Sequence, residues 1–154
     1  MTTPSVQLRP ITDADYPSWM ERAAASFAAG IGPARGLSAD EALALAYEET
    51  EKLLPEGPAT DQQLIWIAWA GDEPVGSLWI STRSRVPFIY GIEVDSRQRG
   101  KGYGRAIMLA AEDECRRLGY TQLDLNVFGD NGPAIALYDS LDYAVTSQQM
   151  RKSL

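Results

Sequence analysis

A chain of 154 residues has the length of one domain, and 45% apolar content suffices for one sizeable core. Its 14 basic and 21 acidic side chains give a formal charge of −7, which argues against non-specific nucleic-acid binding and is compatible with a cationic partner. Histidine is absent and Cys115 is the one cysteine, which excludes histidine-dependent triads and an internal disulfide and disfavours a zinc site.

Residues 1–5 are read as a loose end. Val6-Gln7-Leu8-Arg9 alternates like a short strand. Thr12, with Asp15 three residues on, predicts a helix start, and Tyr16, Trp19, Met20, Ala23 and Phe27 form one apolar face. Gly30 to Gly36 predicts the loop that ends this helix. Ser38-Ala39-Asp40-Glu41 is a second capping box; its helix runs to about Leu54, with Glu49 interrupting a stripe of Ala42, Leu45, Ala46 and Leu53. Leu64 to Ala70 is almost wholly apolar, like a strand buried on both faces. A turn at Gly71 to Pro74 leads into a returning strand, Val75 to Ser81, in which Gly76 marks a bulge or the close approach of another segment.

Phe88 to Val94 reads as a third central strand. The helix from Gly104 to Leu118 carries Gly104, Ile107, Met108, Ala111, Cys115 and Leu118 on one face, pairs Glu112 with Arg116, and stops at Gly119. Cys115 reads as core. Leu123 to Val127 alternates as a strand, Pro133 opens a last helix after Asn131, and Tyr143 to Met150 reads as a closing strand. The predicted order is β-α-α-β-β-β-α-β-α-β: an α/β (α+β) fold in one domain, residues 1–154, with a mixed sheet and helices on both faces. No leader pattern or membrane-length apolar run is present, so the expectation is a cytoplasmic protein with no membrane partner.

The junction Val94-Asp95-Ser96-Arg97-Gln98-Arg99-Gly100-Lys101-Gly102-Tyr103-Gly104 joins a strand to a helix. Three glycines at alternate positions bare the backbone where a helix begins, and helix N-termini offer unpaired N–H groups and partial positive charge. Arg97 and Arg99 suit a polyanion. The stretch reads as a pyrophosphate cradle. It is neither a P-loop, since Gly102 follows Lys101 where Ser or Thr is needed, nor a dinucleotide fingerprint, since its third glycine is misplaced.

Arg97-Gln98-Arg99-Gly100-Lys101-Gly102 resembles the Arg/Gln-x-x-Gly-x-Gly/Ala phosphate motif of the GCN5-related N-acetyltransferases (GNAT). Ile92-Glu93-Val94-Asp95, Asn131-Gly132-Pro133-Ala134-Ile135-Ala136-Leu137-Tyr138, Leu8-Arg9-Pro10 with Asp15, and Val75-Gly76 are also similar to family features. The resemblance implies the GNAT fold: a mixed central sheet of six to seven strands with about four helices. It implies acetyl-coenzyme A as donor and no metal. The pyrophosphate would lie on Arg97, Arg99, Gly100, Lys101, Gly102, Tyr103 and Gly104. The pantetheine arm would lie between the strands ending at Val94 and Val127, on backbone groups of Ile92 and Val94 and the Asn131 side chain; Asn131 also reads as a plain helix cap.

The same resemblance gives Tyr138 as general acid toward the leaving thiolate, against a bland reading in which it only packs. The Val94 N–H is the candidate oxyanion donor, and Glu93 the candidate base through water, or else a strand residue facing solvent. Many relatives carry carboxylates where this chain has Asn126 and Gly91, and glycine where it has Asp142. Trp66, Trp79 and Tyr90 are candidates to line the acceptor pocket, built by the two N-terminal helices, their glycine-rich loop and the aromatic strands; each also reads as core. The implied activity is acetyl transfer to a primary amine by direct attack, the acceptor being a small-molecule amine or a peptide N-terminus or lysine. The alternatives are a non-catalytic coenzyme A sensor and a different acyl donor. A homodimer is left open.

Overall fold

Alternating and apolar runs become four antiparallel strands, β1 (Gln7–Pro10), β2 (Gln63–Ala70), β3 (Glu73–Ser81) and β4 (Phe88–Val94). A two-residue strand, β5 (Asp124–Leu125), adds to β4 in parallel, giving the sheet order β1-β2-β3-β4-β5. The computed structural model describes residues 2–154; Met1, part of the expected loose end, lies outside them. Four helices flank the mixed sheet: α1 (Tyr16–Arg35), α2 (Ala39–Leu53), α3 (Tyr103–Arg117) and α4 (Gly132–Ser140).

Period-two alternation divides the core between the two faces. Trp66 and Ala68 of β2, and Leu78 and Ile80 of β3, pack with Ile107, Met108, Ala111 and Cys115 of α3, and Leu137, Tyr138 and Leu141 close that side. Ile65, Ile67 and Trp79 point the other way and bury Trp19 of α1. Small residues of α1 and α2 (Ala24, Ala28, Ala42, Ala46) let those two helices pack closely above this face.

Three expectations are corrected. The sheet has five strands, not six to seven, because residues 143–150 form no strand. Tyr143 is anchored, its hydroxyl donating to Glu112 Oε2 at 3.0 Å, but beyond it the segment is exposed and carries too little apolar surface to hold a ladder. The helix expected to stop at Gly30 continues to Arg35, with Pro33 inside it, and ends at Gly36 (φ +67°). Gly30 and Gly32 are not breakers but contact points: a Cβ on Gly30 would run into the Phe128 ring, and one on Gly32 would sit 3.3 Å from Ala42 Cβ. Thr12 does not cap α1 directly; it accepts from the Asp15 N–H at 3.2 Å in a turn just before the helix.

Other local readings agree with the sequence. Ser38 accepts from the Glu41 N–H at 3.2 Å. Arg116 meets Glu112 at 3.5 Å. Gly119 takes φ +92° and ends α3 with Tyr120 N–H donating to Cys115 O at 2.9 Å, a Schellman closure. Asp142 takes φ +67° at the corresponding position after α4, where Tyr143 N–H donates to Tyr138 O at 3.0 Å.

Candidate active site

The site begins with one extra residue. Leu78 pairs with Ile92 and Trp79 with Gly91, but Ile80 pairs with Ile89, so Tyr90 is bulged out of β4. A bulge shifts the side-chain alternation by one and bends its strand. Phe88 and Tyr90 before it, and Glu93 after it, therefore line the same cavity. The bend also coincides with the end of strand pairing: β5 meets β4 only at Phe88↔Asp124 and Ile89↔Leu125. Beyond that the two chains splay.

Antiparallel alternation fixes which backbone groups face the splay. Asp95 N–H donates to Val75 O at 2.8 Å, so past the bulge the residues of β4 bonded to β3 are the odd-numbered ones, Gly91 and Glu93. The N–H and C=O groups of Ile92 and Val94 then point toward β5, past the end of its pairing. Gly76 permits this close strand approach: a Cβ there would run into Glu93 O and lie 2.9 Å from Ile107 Cδ1.

Past Val94 the chain makes a 3₁₀ turn, Ser96–Gln98, held by the Asp95 carboxylate accepting from Arg97 N–H at 3.1 Å. Gln98 is buried beneath the turn; its amide donates to Glu73 Oε1 at 2.9 Å and its Oε1 accepts from Lys101 Nζ at 3.1 Å. Arg97 and Arg99 are exposed. Gly100 and Gly102 take φ +75° and +87°, and no side chain caps α3, so its first N–H groups stay open to a ligand. Gly104 lies in the first turn of α3 against Val94 and Leu137, where a Cβ would make ordinary contacts of 3.8 Å to Val94 Cγ2 and 3.4 Å to Leu137 Cδ2. Bare backbone, left-handed glycines and exposed guanidinium groups fit a diphosphate.

A cavity of about 740 Å³ lies between the splayed strands and the α1–α2 pair. Trp79, Tyr90, Ile92, Glu93, Asn131 and Tyr138 line it. Trp79 stacks on Tyr90 with ring centroids 4.9 Å apart. Burial holds the Tyr138 phenol above the ordinary tyrosine range, so it remains a proton donor at neutral pH. Asn131 caps α4, its Oδ1 accepting from Ala134 N–H at 3.3 Å, while bordering the cavity. Trp66 is corrected: at 7% exposed it is packed on the α3 face of the sheet and does not line the cavity.

Val94 and residues 97–104 sit together at the start of α3, beside the cavity but not among its lining residues. Sequence reasoning missed Trp19, Phe27 and Phe128, which line the helical side. Trp19 and Phe27 were legible only as an apolar stripe; Phe128 gave no signal beyond its aromaticity. Ser77, Glu49 and Asp130 were missed too. Glu49 did leave a mark, as the charge that broke the α2 stripe. Among the described residues, no His/Cys/Asp/Glu cluster is arranged to hold a metal, and no helix is long and apolar enough to cross a membrane.

Comparison with known proteins points the same way. Residues 35–143 match the model of the acetyltransferase (GNAT) family. The uncharacterized N-acetyltransferase YdgE of Bacillus subtilis is 31% identical over 119 residues, covering 74% of this chain and 76% of that protein. The uncharacterized N-acetyltransferase YycN of the same organism is 27% identical over 155 residues, covering 97% and 99%. The crystal structure of YycN superposes with a TM-score of 0.92 at 26% identity over 97% of this chain and 99% of that chain. AAC(6')-Iy, solved with the bisubstrate analogue CoA-S-monomethyl-acetylneamine, shares the fold at a TM-score of 0.62 and 18% identity, covering 97% of each chain. The chain belongs to the acetyltransferase (GNAT) family and is a GNAT-type N-acetyltransferase.

Proposed function

We propose that the protein moves an acetyl group from acetyl-coenzyme A to a primary amine by direct attack. The observation that carries this reading is the adjacency of two features. An uncapped helix N-terminus with left-handed glycines stands beside a splayed pair of strands that opens into a cavity. The first suits a diphosphate, and the second suits an extended amide-bearing arm followed by an acceptor. The donor would supply an activated thioester carbonyl.

The chain's residues then divide the work. Backbone N–H groups from Gly100 to Gly104, with Arg97, Arg99 and Lys101, bind the diphosphate. Ile92 and Val94 offer the backbone groups that no strand takes up, and Asn131 flanks the arm. The Val94 N–H stabilises negative charge developing on the carbonyl oxygen. Glu93, on the cavity floor opposite Ser77 in the β3–β4 register, accepts the amine's proton through water. Tyr138, held protonated by burial, gives its proton to the departing sulfur. Trp79 and Tyr90 contribute the aromatic surface against which the acceptor lies.

The test is thiol release on mixing the protein with acetyl-coenzyme A and a panel of primary amines. Tyr138→Phe is expected to keep acetyl-coenzyme A binding and to lower kcat by about 10²-fold or more. Unchanged turnover in that variant removes Tyr138 from the mechanism. Binding of the donor without turnover on any amine supports a sensor instead.

A further inference from the structure

The cavity has a charge pattern that acetyl transfer alone does not require. Its charged lining residues are Glu49, Glu93 and Asp130, and no lysine or arginine joins them. They come from three separate elements: α2, β4 and the loop after β5. Six aromatic rings, those of Trp19, Phe27, Trp79, Phe88, Tyr90 and Phe128, make up much of the remaining wall. Aromatic faces and carboxylates around one open cavity both attract cations. A single reacting amine explains Glu93 near the chemistry. It does not explain Glu49, which occupies a position in the apolar stripe of α2, beside buried Thr50 and one turn from buried Ala46.

Glu49 is also incompletely engaged. Its partner is Arg35, whose guanidinium approaches at 3.4 Å and is half exposed. An ion pair of that kind contributes little, so Glu49 can turn to a ligand cation without a large loss. We propose that Glu49 selects acceptors that carry a second positive charge, separated from the reacting amine by an apolar or aromatic spacer. Glu49 holds the second cation at the helical wall, the rings bury the spacer, and the reacting amine lies toward Glu93 on the sheet. The substrate class is a dicationic small-molecule amine. This rests on the acetyl-transfer reading above.

The test uses two isosteric amines: 4-(trimethylammoniomethyl)benzylamine and 4-neopentylbenzylamine. They differ by a fixed charge at one quaternary centre. In the wild-type protein at low salt the dication is expected to have a kcat/KM about tenfold higher. The ratio should shrink as salt is raised. In Glu49→Gln it should fall to about twofold or less. Equal kcat/KM for the two amines in the wild type, or a preference that survives in Glu49→Gln, overturns the proposal. If neither amine turns over, calorimetric binding of each to the protein saturated with coenzyme A reads the same ratio, with the same two outcomes. Failure of the parent reading is distinct: no primary amine of the panel, singly or doubly charged, would then release thiol from acetyl-coenzyme A.

Discussion

Replacing Gly76 with alanine tests how the sheet positions the site. The new Cβ would run into Glu93 O and lie 2.9 Å from Ile107 Cδ1 and 3.2 Å from the Glu93 carbonyl carbon. The first obstacle is backbone, so it cannot rotate away. Nor can β4 slide freely, because the Asp95 N–H is bonded to Val75 O at 2.8 Å and Leu78 pairs with Ile92. Overpacking of this kind costs about 1–3 kcal/mol, and a strained ladder bond adds about 1 kcal/mol. At about 2–4 °C per kcal/mol for a chain of this size, Tm should fall by about 5–15 °C. Gly71→Ala supplies the control: Gly71 has φ +62° but no heavy atom within 4 Å of a built Cβ. It should lose only the left-handed penalty, about 1 kcal/mol or about 2–4 °C. Thermal unfolding followed by circular dichroism reads both. A Gly76→Ala protein that melts with the wild type, or above Gly71→Ala, refutes the close-approach reasoning.

Two further outcomes are expected. Asp142 holds φ +67° without a glycine's freedom, and Asp142→Gly should raise stability by about 0.5–1 kcal/mol, seen as a Tm higher by about 1–4 °C; a lower Tm would contradict the strain assignment. Burial raises the Tyr16, Tyr138 and Tyr143 phenols, and the Tyr143 hydrogen bond to Glu112 adds to it. The unfolded chain therefore loses these protons first, so this stability is present below about pH 10 and is lost as pH climbs beyond it. Urea titrations across that range should show a falling unfolding free energy, with a shallower fall in Tyr143→Phe.

The parts of this fold legible in the sequence are those whose local signals agree with their tertiary role. The β2–β3–β4 meander follows from uninterrupted apolar runs and a turn at Gly71. Helix α3 follows from its stripe of Ile107, Ala111 and Cys115 and from Gly119. The strand-to-helix junction with its left-handed Gly100 and Gly102 was legible because glycine spacing, strand and helix meet in the eleven residues from Val94 to Gly104. What escaped depends on partners distant in sequence. Gly30 and Gly32 look like breakers until Phe128 and Ala42 are seen packed against them. Trp66 and Trp79 look equivalent, yet they take opposite faces of the sheet, and only Trp79 reaches the cavity. The bulge at Tyr90 carries no sequence mark, although it decides which β4 side chains share the site. Residues 143–150 begin with the apolar Tyr143-Ala144-Val145, but a polar run follows and no neighbouring ladder receives them.

The most direct test is calorimetric titration of acetyl-coenzyme A into wild-type protein and into Gly102→Glu. That substitution puts a carboxylate where α3 begins, at a backbone of φ +87°. Micromolar-range binding by the wild type, weakened by about tenfold or more in the variant, is the predicted result. No binding by the wild type, or equal binding by both, would contradict a donor site at the start of α3.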